Sequence, residues 1–160
     1  MRSVPQRLAI GEARWPHDRA AVEELFREYV GSLGLDLGFQ KVDRELATLP
    51  GRYARPAGCV LIAHAGDEPV GVGAYRRFRG KTCEMKRLYV RPAFRGLGIA
   101  RSLAGALIEE AQAAGYRRMV LDTLGGMKAA RALYAALGFS VIEPYYVNPL
   151  PDVIYLGRAL

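Results

Sequence analysis

The chain has 160 residues, 51% of them hydrophobic and 24% charged, which suits a single domain over 1–160 with a core of its own. No apolar run approaches the roughly 20 residues that span a bilayer, and the N-terminus lacks a signal-peptide pattern, so we predict a cytoplasmic protein outside the membrane. The net charge of +7 favours anionic partners, and nucleic acid and a phosphate-rich cofactor are both candidates at this point.

Cysteines and histidines are too few for a disulfide framework or a zinc site. The chain offers only Cys59, Cys83, His17 and His64, at spacings unlike those of metal ligands. We therefore predict that the protein holds no metal and that both cysteines are small core residues rather than nucleophiles. The basic residues are scattered and accompany no nucleic-acid motif, so most of the positive charge is predicted to be solvated surface.

The first half of the chain predicts two helices and a β-hairpin. Val22, Leu25, Phe26 and Tyr29 follow the spacing i, i+3, i+4 and i+7, which places them on one face of a helix. Two apolar runs flank the turn Gly-Asp-Glu-Pro at 66–69, as in a hairpin. The predicted elements are a strand at 7–13, helices at 17–31 and 41–48, and hairpin strands at 59–63 and 70–75.

The second half alternates strands with amphipathic helices. Pro92 ends a long strand, and Gly115 and Gly138 each stop a helix. The predicted elements are a strand at 82–90, a helix at 97–114, a strand at 118–124, a helix at 127–137, and strands near 139–143 and 153–159. The order predicts a mixed sheet with helices on both faces and a right-handed parallel crossover over 83–124.

A glycine-rich turn between the strand at 82–90 and the next helix is the most informative segment. Gly96 and Gly98 remove side chains where the backbone enters the helix. The first amides of a helix lack intrahelical partners and lie at the positive end of its dipole, so the turn suits a phosphate or pyrophosphate. Arg95 adds positive charge.

Other readings of this turn fit less well. A Rossmann turn would have a third glycine at 101, where the chain has Arg101. A P-loop would continue into Gly-Lys-Ser/Thr, which is absent from the sequence. A plain tight turn without a ligand is the remaining alternative.

Two motifs together resemble a known family. Residues 90–100 follow V-x-P-x-x-R-G-x-G-I-A, and about 35 residues on, 133–139 follow L-Y-x-x-L-G-F. Both are similar to hallmarks of the GCN5-related N-acetyltransferase (GNAT) family. The resemblance implies an α/β fold with a mixed, mostly antiparallel, twisted sheet of six to seven strands. It also implies helices on both faces and a parallel pair, 83–90 and 118–124, that splays apart.

The same resemblance implies acetyl-CoA as acyl donor, with no metal. The pantetheine arm would enter the gap between the splayed strands and bond to the first of them. The implied cofactor-binding residues on that strand are Leu88, Tyr89 and Val90. The pyrophosphate would meet the backbone amides of Arg95, Gly96, Leu97, Gly98, Ile99 and Ala100.

Transfer to an amine calls for a base and benefits from an acid. An alkyl ammonium has a pKa of about 10, so a general base helps to deprotonate it. Glu84 is the predicted base. An ion-pairing role for Glu84 and a base at Asp122 are the alternatives. Tyr134 matches the family tyrosine that approaches the CoA sulfur and is the predicted acid, with a core aromatic as its alternative role. Met127 stands where the family often has a cofactor-contacting asparagine, so that contact is not carried over.

The acceptor pocket is implied to lie between the first helices and the loop before the last strand, 144–151. Tyrosines, an asparagine and three prolines make this loop a plausible wall. Arg77 and Lys86 could receive a substrate carboxylate. The predicted substrate residues are Phe39, Gln40, Arg77, Lys86, Tyr145, Tyr146 and Asn148.

These features predict an acetyl-CoA-dependent N-acetyltransferase that acts on a primary amine of a small molecule or peptide by direct attack. One alternative is a non-catalytic acyl-CoA-binding regulator. Another is a basic nucleic-acid-binding module, which would bind with a steep salt dependence. The resemblance also makes a homodimer a candidate assembly, and the acceptor stays open.

Overall fold

A computed structural model describes residues 7–34 and 39–160 of the chain. Within these ranges the chain forms seven strands and four α-helices. The strands are β1 (Leu8–Glu12), β2 (Cys59–Ala65), β3 (Glu68–Arg79), β4 (Thr82–Val90), β5 (Arg118–Leu124), β6 (Ser140–Val141) and β7 (Val153–Ala159). The helices are α1 (Arg19–Ser32), α2 (Phe39–Ala47), α3 (Ile99–Ala113) and α4 (Lys128–Ala136).

All seven strands join one sheet in the order β1-β2-β3-β4-β5-β7-β6. Each neighbouring pair is antiparallel except β4 and β5, which run parallel. Helix α3 connects these two strands and packs on the sheet, as expected of a parallel crossover. The predicted fold class is thereby confirmed, while the single domain over 1–160 stays a prediction.

The sheet buries a hydrophobic cluster on each face. On one face Leu103 and Leu107 of α3 are fully buried against strands β2 to β5. On the other face Leu25 and Phe26 of α1 pack with Ile62 and other β2–β3 residues. Helices therefore cover both faces, and each apolar helix stripe read from the sequence meets the sheet.

Two glycines in β3 bring α3 close to the sheet. A β-carbon at Gly73 would meet Leu107 Cδ1 at 2.8 Å, and one at Gly71 would meet Leu103 Cδ1 at 3.2 Å. Side chains at these positions would push the helix away. Because glycine has no side chain, α3 can pack directly on β3 beside the end of β4.

The parallel strands β4 and β5 separate after a short paired stretch. Their ladder joins Thr82 to Arg118, Cys83 to Met119 and Glu84 to Val120, and goes no further among the described residues. Beyond that point both strands continue, β4 to Val90 and β5 to Leu124. The sheet therefore opens into a gap between them, as the family resemblance implies for this pair of strands.

A β-bulge in β4 changes which face its side chains reach. Val72 pairs with Tyr89 and Ala74 pairs with Lys86, so two steps along β3 match three along β4. Arg87 is the extra residue of this bulge and has a left-handed φ of 62°. As a result Met85 and Leu88, three apart, lie on the α3 face, while Tyr89 lies on the α1 face.

The element predictions agree with the structure apart from their ends. Strands β2 and β3 extend beyond the predicted 59–63 and 70–75. Their pairing with each other reaches the turn at Ala65 and Glu68, and β3 continues to pair with β4 as far as Arg79. Helix α3 begins at Ile99 rather than 97, since Gly98 before it has a left-handed φ of 79°. Strand β6 covers only two residues of the predicted 139–143. No helix of the described residues is long and apolar enough to cross a membrane.

Candidate active site

A cavity of about 730 Å³ opens beside the gap between β4 and β5. Its walls come from α1, α2 and the turn after α2, from β4 and β5, from both ends of α4 and from the loop before β7. Its charged and polar lining includes Lys41, Glu45, Arg52, Arg76, Lys86, Arg87, Asp122, Thr123, Tyr134, Tyr146 and Asn148. The cavity is large enough for a small molecule and one arm of a cofactor.

The open edge of β4 supplies backbone hydrogen-bonding groups to this cavity. Because the described β4–β5 ladder ends at Glu84, the groups of β4 that face β5 beyond it have no strand partner. Leu88 lines the cavity, while Tyr89 and Val90 are buried in the two clusters on opposite faces. An extended chain lying in the gap would complete the sheet with these groups.

The glycine turn after β4 forms an open anion cradle. Gly96 and Gly98 have φ angles of 80° and 79°, and a β-carbon at either would meet nothing within 4 Å. The first turn of α3 has no side-chain cap, so its amides are available to a ligand. The Arg95 guanidinium turns back to donate to the Val90 carbonyl at 3.0 Å and lies over the Tyr89 ring at 5.8 Å.

Tyr134 reaches the cavity from α4. Its side chain is 8% exposed and packs edge-on against Phe139 at 5.8 Å between ring centroids. Burial, with smaller effects of Tyr29 and Asp122, raises the pKa of the Tyr134 hydroxyl above its usual range. The hydroxyl therefore keeps its proton at neutral pH and is a hydrogen-bond donor toward the cavity. Nearby, the Thr123 hydroxyl donates to Met127 Sδ at 3.8 Å.

Glu84 is held from two sides. It is 4% exposed, and the Tyr145 hydroxyl donates to its Oε2 at 2.6 Å. The Arg76 Nε donates to its Oε1 at 3.3 Å. Both carboxylate oxygens therefore have partners, and the side chain is absent from the cavity wall that the described residues form.

Asp122 lies in the cavity wall and anchors the loop before β7. Its Oδ2 accepts hydrogen bonds from the Tyr146 hydroxyl and from Asn148 Nδ2, the latter at 3.0 Å. The Tyr155 hydroxyl donates to the Tyr146 carbonyl at 2.8 Å and accepts from the Asn148 backbone N–H at 3.2 Å. These bonds fix Tyr146 and Asn148 at the cavity, whereas Tyr145 is turned toward Glu84.

Comparison with known proteins agrees with this geometry. The profile of the Acetyltransferase (GNAT) family matches residues 19–139. An uncharacterized N-acetyltransferase of Schizosaccharomyces pombe is 42% identical over 156 residues, which cover 95% of this chain and 94% of that protein. The chain belongs to the GNAT family.

Two further relatives are informative about ligands. An acetyltransferase of Salmonella typhimurium, solved with its cofactor acetyl-CoA, superposes with a TM-score of 0.75 at 25% identity and covers 95% of this chain and 93% of its own. The N-acetylaspartate synthetase of Danio rerio is 37% identical over 97 residues, which are 59% of this chain and 34% of that protein. The chain is accordingly an acyltransferase of the N-acetyltransferase type, and acetyl-CoA is the donor that the fold supports.

The residues of this GNAT chain fit acetyl-CoA on physical grounds. The uncapped amides after Gly98 suit a pyrophosphate, and the unfilled space at both glycines leaves room for it. The unpaired β4 edge suits the amides of the pantetheine arm. The individual cofactor contacts predicted from Leu88 to Ala100 stay predictions.

Two predicted substrate residues, Arg77 and Tyr145, are absent from the cavity wall that the described residues form, and Tyr145 is bonded to Glu84 instead. Arg77 is exposed and pairs with Cys83, whose side chain lies on the α3 face of the sheet. Its neighbour Arg76 lines the cavity instead, because successive strand residues point to opposite faces. Lys86 does line the cavity, so the structure brings only one of these two predicted carboxylate-binding residues to it, and the carboxylate-binding role stays a prediction. Helix α2 begins at Phe39, and the side chains of Phe39 and Gln40 lie outside the described residues.

Sequence reasoning missed Glu45 of α2 and the turn after that helix as parts of the cavity wall. Glu45 accepts from Arg87 Nε and a terminal nitrogen of that guanidinium at 3.1 and 2.8 Å. It also accepts from the Tyr53 hydroxyl. The amphipathic stretch 41–48 predicts a packed helix. Its pattern of polar residues does not indicate that the Glu45 side chain reaches the cavity and bonds to Arg87. No group of three His, Cys, Asp or Glu residues suited to a metal occurs in the described ranges.

Proposed function

We propose that the protein transfers the acetyl group of acetyl-CoA directly to a primary amine of a small molecule or peptide. The observation that carries this proposal is the cavity where the open β4 edge, the Tyr134 hydroxyl and the Asp122 carboxylate meet. Bound acetyl-CoA supplies an activated thioester there. The protein supplies orientation, a proton acceptor for the amine and a proton donor for the leaving thiolate.

Direct attack is favoured because the cavity lacks a suitable nucleophile among its described residues. Cys59 and Cys83 are both buried, and neither lines the cavity. Burial raises the pKa of each thiol to about 12, so neither forms thiolate readily at neutral pH. An acyl-cysteine intermediate is therefore disfavoured.

The bulge in β4 gives the reaction a preorganised dipole. Negative charge develops on the carbonyl oxygen of the acetyl group as the amine attacks. The left-handed residue Arg87 breaks the regular alternation of β4 at the cavity, and the described β4–β5 ladder ends before it, so backbone N–H groups near Leu88 that face the gap have no β5 partner. Such fixed N–H groups stabilise an oxyanion without reorganisation at the moment of reaction.

The test of the proposed function is release of free CoA thiol from acetyl-CoA in the presence of amino acids, polyamines, aminoglycosides and short peptides. We expect release with one class of acceptor, with the acetylated amine identified by mass spectrometry. Binding of acetyl-CoA is measured separately by calorimetry. Tight acetyl-CoA binding without transfer to any amine would contradict the proposal and favour a non-catalytic acyl-CoA-binding regulator.

The relatives support an amino-acid amine as the acceptor. The Danio rerio relative is named for N-acetylaspartate, an amino acid acetylated on its amine. Its match covers only part of either chain, so it guides the choice of acceptors in the panel. A cytoplasmic setting and a homodimer stay predictions.

Tyr134→Phe should slow turnover rather than abolish it. The buried hydroxyl stays protonated and can give its proton to the leaving thiolate, an effect worth about 100-fold at the low end of general acid catalysis. A thiol pKa near 8.5 makes the thiolate a fair leaving group unaided, so we expect kcat to fall about tenfold to a hundredfold. Steady-state kinetics check this. Tyr116→Phe, which removes a hydroxyl bonded to the Ala57 carbonyl away from the cavity, should leave kcat within about twofold.

The proton acceptor is tested by comparing Glu84→Gln with Asp122→Asn. Glu84 as base stays a prediction, but its contacts with Tyr145 and Arg76 favour a role in positioning the loop. Asp122, in the cavity wall, accepts only from neutral donors. We therefore expect Asp122→Asn to lower kcat about a hundredfold. Glu84→Gln should raise the KM of the amine about tenfold with little change in kcat, and the reverse pattern would assign the base to Glu84.

A further inference from the structure

The cavity carries more positive than negative side chains. Five cationic side chains and two carboxylates line it among the described residues. The cations are Lys41, Arg52, Arg76, Lys86 and Arg87, and the carboxylates are Glu45 and Asp122. Such a lining raises the local concentration of anions and opposes polycations.

Internal pairing removes only part of this excess. Arg87 is held by Glu45 at 2.8 Å and Arg76 by Glu84 at 3.3 Å. Arg52 donates to the Arg77 carbonyl, which is uncharged. The described residues give Lys86 no ion-pair partner, although its side chain is partly buried. A partly buried ammonium without an ion-pair partner favours an anion beside it.

Lys86 and Asp122 lie level with each other across the gap. Glu84 is paired with Val120, and each of the two residues is two positions further along its strand. Paired residues of a parallel ladder share a face, so both side chains lie on the cavity face of the sheet. Burial lowers the pKa of Lys86, and Glu84 and then Asp122 act in the opposite direction. Lys86 and Asp122 both line the cavity and form no ion pair with each other among the described residues.

This arrangement places a cation and an anion on opposite sides of the gap where the acetyl group would be presented. An amine that carries a carboxylate a few bonds away has the matching pair of charges. Its ammonium would meet Asp122, which can take the proton, and its carboxylate would meet Lys86. The cations that remain at Arg52 and Lys41 would favour a second carboxylate over a neutral or basic side chain.

We propose that the acceptor is a free amino acid bound with its carboxylate on Lys86 and its amine at Asp122, and that acidic amino acids are preferred to neutral ones and to polyamines. The inference rests on the proposed function and names the acceptor class of the same site. Atoms and protons balance: the ammonium first gives one proton to Asp122, which later passes it to solvent, and the neutral nitrogen bonds the acetyl carbon as the carbon–sulfur bond breaks. Tyr134 gives its proton to the thiolate and is reprotonated by the second proton that the nitrogen loses.

The experiment compares matched acceptors on the intact protein. L-Aspartate and L-glutamate are assayed beside their side-chain amides, their α-amides and spermidine, with CoA release as the readout. We expect kcat/KM to fall at least about tenfold when the α-carboxylate becomes an amide, because a charge-assisted bond to Lys86 is lost. Spermidine should react more slowly still.

Lys86→Met supplies the decisive comparison. The variant should raise the KM of the carboxylated acceptors about tenfold to a hundredfold and change the KM of the α-amides less than about threefold. Lys81→Met, in the exposed β3–β4 turn, is the control and should change neither. Calorimetric binding of acetyl-CoA to the Lys86→Met protein should equal that of the unmodified protein, which shows that the variant is folded.

The possible outcomes separate the two proposals. Equal rates with α-amides or spermidine in the unmodified protein, or equal losses for both acceptor types in Lys86→Met, would overturn the acceptor assignment and leave acetyl transfer standing. Acetyl-CoA binding with no transfer to any amine would overturn the proposed function and the acceptor assignment together.

Discussion

Gly98→Asp is expected to raise the Kd of acetyl-CoA about a hundredfold or more, since it changes the anion cradle at its centre. The glycine lies at φ 79° directly before α3, where the first helix amides point outward without a side-chain cap. An aspartate there would place a carboxylate where the pyrophosphate is expected, and it would cap the amides itself. Like-charge repulsion and lost amide bonds then both weaken binding.

The matched control for this variant is Gly80→Asp. Gly80 also has a left-handed φ, 56°, and also has open space around its would-be β-carbon, but it lies in the turn between β3 and β4. Both variants carry the same backbone strain of roughly 1–2 kcal/mol, so a general effect on folding would appear in both. Calorimetric titration with acetyl-CoA should show weakened binding in Gly98→Asp alone. Similar affinities in the two variants would mean that the cradle does not hold the cofactor.

The cradle could be read from the sequence because its signal is local. Two glycines, a preceding strand and a following amphipathic helix lie within a short stretch, and glycine at a left-handed position is a direct conformational requirement. Element order and most boundaries followed in the same way from periodicity and from turn residues. These features depend on neighbours along the chain, which the sequence shows.

The faces of the strands were harder to predict than their positions. The sequence identified 82–90 as a strand but not its bulge, because an arginine carries the left-handed residue and no glycine marks it. Successive residues of a strand point to opposite faces, and the sequence alone does not show that Arg76, rather than the predicted Arg77, lies on the cavity face. Contacts between distant parts of the chain were beyond reach as well. The Glu84–Tyr145 hydrogen bond joins residues 61 positions apart in the sequence, and no neighbouring residue of either one indicates this contact.

The same structural logic predicts the largest effect on stability, at Leu103. Its side chain is fully buried in the cluster between α3 and the sheet, and its Cδ1 lies 3.2 Å from where a β-carbon of Gly71 would be. Because Gly71 offers no side chain that could fill a void, Leu103→Ala should leave a cavity. We expect the free energy of unfolding to fall by about 3 kcal/mol, a large part of the roughly 5–15 kcal/mol of a typical domain.

Urea titration measures this change, with Leu8→Ala as the control. Leu8 lies on edge strand β1 and is 44% exposed, so the same substitution there should cost less than about 0.5 kcal/mol. Helix α3 also carries the cradle amides at its start, so acetyl-CoA binding and helix packing are linked. Acetyl-CoA at about 100 times its Kd should restore about 2.7 kcal/mol to either variant, because the ligand binds only the folded chain. A loss under 1 kcal/mol in Leu103→Ala, or no recovery with acetyl-CoA, would show that α3 packing and the cofactor site are not joined as described.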